Sequence, residues 1–173
     1  LMATRRLADA QLAIERFSRA LELAPHSATA HAALAEAHIF LAELTEHAPA
    51  QEQEWIAAVQ AKAEPLLTRA LQLDDSLGEA YIWRGWLKIT NGDTTGALAD
   101  YEKGIALSPN YAPGLQRYAE ELDALGRGTE ALDLIDRARR IDPLYPRSHY
   151  FKGLMRLWGG GAIEDAEALF LQA

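Results

Sequence analysis

The sequence predicts an all-α, right-handed superhelical solenoid of about five helical hairpins, with the first and last incomplete. Three observations carry that expectation. First, a small residue, a large apolar residue four places on and a second small residue three places later recur as Ala13, Phe17, Ala20; Ala63, Leu67, Ala70; Ala97, Tyr101, Gly104; Ala131, Ile135, Ala138; and Ala166, Phe170, Ala173. Second, the last members of successive sets lie 50, 34, 34 and 35 residues apart, so one unit is long and the others are regular. Third, turn residues fall at matching points. "LAPHS", "LSPNYAP" and "IDPLYP" close second helices, while Asn91-Gly92-Asp93, Gly126-Arg127-Gly128 and Gly159-Gly160-Gly161 turn inside hairpins.

Each element follows from that pattern. Small side chains seven apart let a neighbouring helix approach, and the large one between them fills the gap. Helices are expected near 28–44, 50–73, 78–90, 94–107, 112–125, 128–141, 146–158 and 162–173, after an N-terminal helix ending near Leu23. The chain reads as one domain over 1–173, with units at 1–27 (partial), 28–77, 78–111, 112–145 and 146–173 (partial). The 28–77 unit is 16 residues too long, and its surplus reads as longer helices around a Thr45–Pro49 turn. Pro113 and Pro146 stand where a first helical turn tolerates proline. Pro65 does not: it lies inside the expected 50–73 helix, lacks an amide hydrogen and pushes away the Ala61 carbonyl, so a kink or a break is expected there.

Composition excludes several functions. A net charge of −8 argues against direct nucleic-acid binding by this region, since such affinity rests on clustered Lys and Arg. The absence of Cys removes disulfides, thiolate metal sites and a Cys nucleophile. No stretch reaches the ~18 consecutive apolar residues of a membrane span. There is no GxSxG, no HExxH and no phosphate-cradling loop; "GGG" at 159–161 lacks the Lys and Ser/Thr that complete one. No enzyme activity and no cofactor are expected.

The stretch "LTRALQLDDSLGEAYIWRGWLKITNGDTTGALADYEKGIALSPNYAPGLQRYAEELDALGRGTEALDLIDRARRIDPLYP" resembles the tetratricopeptide repeat, whose period is 34 residues. Its wording is similar to the repeat module found beside winged-helix or adenylate-cyclase domains in large bacterial signalling regulators. The resemblance implies a concave groove lined by first-helix residues. Here these are Ile82, Trp83, Trp86 and Ile89 in the third unit, Gln116, Arg117, Glu120 and Asp123 in the fourth, and Tyr150, Phe151, Leu154, Leu157 and Trp158 in the fifth. The groove reads as two aromatic walls around a polar floor, the alternative being that the apolar residues simply pack helix on helix. Chaperone-binding members hold a terminal carboxylate with Lys and Asn; Thr29, Ala32, Ala33 and Glu36 stand at such positions here, so that clamp is not expected.

Two departures from the repeat are specific to this chain. Positions that pack within a hairpin hold Arg84 and Lys88 in the third unit and Lys152 and Arg156 in the fifth. Either their heads reach acidic partners or a wet edge, or the helices rotate and turn the indoles inward. His31 and His38, seven apart on one helix, read as packing residues; metal ligands stand closer, as at i and i+4, so no metal site is expected.

The candidate site residues are therefore Trp83, Trp86, Gln116, Arg117, Glu120, Tyr150, Phe151 and Trp158. The expected role is non-catalytic recognition of a protein or peptide segment by a sensory or regulatory piece of a larger bacterial protein. Two alternatives stand beside it: homodimerisation through the solenoid ends, which would pair attached domains, and a pocket for a small apolar ligand. A soluble domain is expected, cytoplasmic, or periplasmic if the parent protein is membrane-anchored, and the sequence leaves the compartment open.

Overall fold

The computed structural model describes residues 2–45, 47–143, 151 and 153. The helices expected over 146–158 and 162–173, with Lys152, Arg156 and the Ala166–Phe170–Ala173 set, lie outside the described residues. The chain divides into two compact units, Leu1–Leu107 and Ser108–Ala173.

The first unit contains α1 (Met2–Leu23), α2 (Ala28–Glu43), a 3-10 turn (Pro49–Gln51), α3 (Glu52–Leu73), α4 (Gly78–Thr90) and α5 (Thr94–Leu107). Ser27 starts α2 by accepting a hydrogen bond at Oγ from the Ala30 amide at 3.2 Å, which satisfies one of the free amides of a first turn. Helix α2 buries Ala32, Leu34, Ala35, Ala37 and Ile39, positions that do not share one stripe. The reason is its placement, since it packs against α1, α3 and α4. The surplus of the long unit is spent as expected: α2 ends just before the Thr45–Pro49 turn and α3 runs 22 residues.

Pro65 does not break α3, which is one helix from Glu52 to Leu73. Pro65 and Ala61 both lie on the solvent face, so water can satisfy the carbonyl that proline leaves without a donor. The buried stripe of Val59, Ala63, Leu67 and Ala70 runs past that point on the opposite side.

Helices α4 and α5 form a close hairpin. The chain reverses at Gly92, whose φ of +79° is a left-handed conformation that costs other residues energy. The Gly92 amide donates to the Ile89 carbonyl and the Asp93 amide to that of Lys88, both at 2.9 Å, closing the end of α4. Asp93 Oδ1 then accepts from the Gly96 amide at 2.9 Å and opens α5. Ala97 and Tyr101 are fully buried, and a methyl group added at Gly104 would stand 2.7 Å from Ile82 Cδ1 and 2.9 Å from the Gly78 carbonyl.

Arg84 and Lys88 reach a buried acid on α5 while Trp83 and Trp86 of the same helix also face inward, so the two expected alternatives occur together and the indoles pack helix on helix instead of lining an open groove. Asp100, 7% exposed in its side chain, accepts from Arg84 Nε and Nη2 at 2.7 and 2.6 Å and pairs with Lys88 Nζ at 2.7 Å. Burial alone would raise the pKa of Asp100, but the hydrogen bonds and charges of Arg84 and Lys88 outweigh it and hold the carboxyl below its usual range. Both cations keep about a third of their side-chain surface in water, so their stems cover apolar surface while their heads stay hydrated.

The second unit contains α6 (Ala112–Ala124) and α7 (Gly128–Ile141), with Pro113 in the first turn of α6. Gly126 turns between them at φ +77°, and the Arg127 amide donates to the Leu122 carbonyl at 2.8 Å. Leu115 and Ala119 of α6 and Ala131, Ile135 and Ala138 of α7 are fully buried, so the expected set of α7 is its packing face. The corresponding set of α1 is only half-buried, because among the described helices α1 packs on α2.

Three outcomes follow for stability. Asp100→Ala should destabilise the fold by about 2–3 kcal/mol, less than for a fully buried pair because Arg84 and Lys88 reach water. A carboxylate with a depressed folded pKa stabilises above its unfolded pKa and loses that contribution as pH falls through the folded value. The gap between wild type and Asp100→Asn in urea melts should therefore be full at neutral pH and close below about pH 4. Gly104→Ala, which forces α4 and α5 apart, should cost about 1–3 kcal/mol despite its better helix propensity, as a thermal melt would read.

Candidate functional site

On α4 the helical repeat sets Trp83 and Trp86 one turn apart. Both are inside, at 4% and 6% exposure. Trp86 meets the edge of Trp55 from α3, with ring centroids 6.2 Å apart and planes at 76°. Trp55 in turn stacks on His47, at 4.7 Å and 9°, and donates from Nε1 to the Ala42 carbonyl in the last turn of α2 at 3.2 Å. A buried indole is thus backed by a half-buried one and topped by an exposed imidazole. His47 and Trp55 belong to the surplus of the long unit, and the repeat alone gives them no place. The signal that could have found them is a lone Trp among Gln, Glu and Ala.

On α6 the polar residues converge. Gln116, 1% exposed, donates from Nε2 to Glu120 Oε1 at 2.9 Å, and Arg117, 7% exposed, donates from Nη1 to Glu120 Oε2 at 3.3 Å. One half-buried carboxylate is gripped by both neighbours on its own helix, the spacing that a helix brings together. Next to it, burial raises the pKa of Glu121; the charge of Glu120 adds to the rise and that of Arg117 opposes it. Of the fifth-unit candidates Phe151 is half-buried, while Tyr150 and Trp158 lie outside the described residues.

Among the described residues the histidines do not converge on a common point. His31 Nδ1 lies 2.9 Å from the Ser27 carbonyl, a local contact at the start of α2. His38 Nδ1 is buried with no partner, and its pKa is lowered by burial first and by Lys62 second. Among the described residues no group of three or more His, Asp or Glu is placed to hold a metal ion. Among them, too, no helix is long and apolar enough to cross a membrane.

Residues 88–155 match the family model of the tetratricopeptide repeat. No curated protein matches the chain. Solved structures do. The crystal structure of MamA is 19% identical with a TM-score of 0.59, covering 97% of this chain and 88% of that one. TTC0263, a thermophilic repeat protein of Thermus thermophilus, is 19% identical with a TM-score of 0.64, over 87% of this chain and 75% of that one. YrrB, a repeat protein with an unusual peptide-binding site, is 17% identical with a TM-score of 0.55, over 95% and 76%. At 17–19% identity these likenesses establish the fold, an all-α repeat solenoid. With hairpins of the right length, small residues where helices meet, and a match to the repeat over residues 88–155, the chain has the fold of tetratricopeptide repeat proteins and is similar to them.

Proposed function

We propose that the chain is a non-catalytic scaffold that recognises a protein or peptide segment, as a sensory or regulatory module of a larger bacterial protein. The 1–173 stretch is read as one repeat domain. The observation that carries the reading is the His47–Trp55–Trp86 stack. Stacked rings are rigid, so an apolar anchor from a partner can land on His47 and Trp55 with little loss of freedom. Trp83 and Trp86 back this surface from inside. In the second unit Gln116, Arg117 and Glu120 form a prearranged polar group for a ligand's backbone or charge, and Tyr150, Phe151 and Trp158 are proposed as further apolar contacts.

A second reading, self-association that pairs attached domains, is favoured by α1. Its Leu12 and Leu23 are 47% and 75% exposed.

Two measurements separate these readings. Peptides selected from a random library should lose about 2 kcal/mol of affinity on Trp55→Ala, with helical content unchanged, and less on His47→Ala. Trp83→Ala should instead cost about 3–5 kcal/mol of stability, as expected of a core indole. The recognition reading fails if selected binders are indifferent to Trp55, His47 and Arg117 variants that remain folded. Sedimentation of wild type against Leu12→Glu/Leu23→Glu tests self-association: a concentration-dependent dimer lost in the double variant supports it, and a monomer at all concentrations removes it.

A further inference from the structure

Arg84 and Lys88 do more than close the α4–α5 hairpin. They also line a cleft of about 110 Å³ between α3 and α4, with Leu67 and Leu87 among its apolar residues and Gln60 and Glu64 contributed by α3. At about 100° per residue, Trp86 lies roughly 160° around α4 from both Arg84 and Lys88, so the cleft is separate from the aromatic stack.

Three features of the cleft point to one chemistry. Two cations share a single buried carboxylate, that of Asp100, so the second positive charge is opposed within the cleft by the exposed Glu64 alone. Each keeps about a third of its side chain accessible. Gln60 Nε2 is buried and has no acceptor, an uncommon state for an amide donor, which normally finds a partner when removed from water. An acceptor of negative charge that brings a short aliphatic stem satisfies all three. The volume is well below the ~300–1,000 Å³ of a pocket for a drug-sized molecule, and suits the end of one side chain.

We propose that the α3–α4 cleft binds the carboxylate of a glutamate or aspartate side chain on a partner protein, with its oxygens facing Arg84 and Lys88 and drawing the Gln60 amide, buried in the free protein, round into the cleft as a further donor, and its methylenes against the narrow apolar wall of Leu67 and Leu87. Glu64, exposed at the same cleft, carries the same charge as the ligand and weakens its binding. The partner as source of the carboxylate rests on the recognition reading above; the cleft's preference for a carboxylate does not.

The test is a titration followed by NMR, with N-acetyl-glutamate amide as probe and N-acetyl-glutamine amide as its neutral counterpart. The glutamate probe should give saturable shifts at the Gln60 side-chain amide and at backbone signals of α3 and α4, and the glutamine probe should not. Gln60→Leu, which removes a donor that has no partner and so leaves the fold intact, should weaken the glutamate probe roughly tenfold. Glu64→Gln should tighten it about threefold, by removing a like charge at a wet rim. A free dicarboxylate, glutarate, binding more than tenfold tighter than the capped amino acid would move the source from a protein side chain to a small metabolite and overturn the proposal as stated. Equal shifts with both probes, no saturation, or indifference to both variants overturns the site itself. A positive titration alongside Trp55 variants that bind peptides normally would sink the aromatic reading and leave the cleft standing.

Discussion

Helix backbones can pack closely only where side chains are nearly absent, and this limit orders the whole chain. Between α4 and α5 there is no room for a methyl group at Gly104, and Gly85 faces the Ala97 carbonyl and the Tyr101 ring across the same seam. The same pattern of small residues flanking one large one buries Ala63, Leu67 and Ala70 on α3 and Ala131, Ile135 and Ala138 on α7. Each hairpin then needs only local pairing to form, so the repeat is built from short-range contacts. The turn glycines serve the same end, because a reversal at positive φ places the second helix against the first without a longer loop.

Charge inside such a hairpin is tolerated only if geometry compensates for lost hydration. Asp100 does this for two cations at once, through a bidentate grip on Arg84 and a contact with Lys88. The arrangement replaces part of an apolar seam by a polar one that must be assembled correctly, since a shift of one turn would leave Asp100 buried with no partner. It also brings two cations to the α3–α4 cleft, so that a departure from the repeat's apolar pattern becomes a chemical feature at the surface.

The long unit contributes differently. Its extra residues carry α3 beyond the usual hairpin length and bring Trp55 over Trp86, with a hydrogen bond to the end of α2 locking the indole in place. An insertion in a repeat is thereby fixed to the first helix of the next unit. In the second unit the corresponding first helix carries no aromatic pair but the Gln116, Arg117 and Glu120 group, polar and largely buried. Adjacent repeats of one fold thus present different chemistry from equivalent helices.

By itself the sequence determined the described helices, their pairing within hairpins and the packing faces of the second helices, because helical period, turn chemistry and the spacing of small residues are local properties written at short range. Among the described residues, helix limits were legible to within a residue or two, and the turn at Thr45–Pro49 was placed correctly. What only the tertiary structure decided depends on atoms far apart in the chain. The sequence set paired cations against buried indoles as alternatives for α4, and the structure has both, because Asp100, sixteen residues from Arg84 along the chain and on another helix, takes the cations while Trp83 and Trp86 are packed inside. It left Pro65 to kink or to break α3, and the helix runs unbroken, because the buried stripe holds both halves and the freed carbonyl faces water. It marked Trp83 and Trp86 without showing what covers Trp86, since the stack through Trp55 to His47 joins an insertion to a repeat and follows no period.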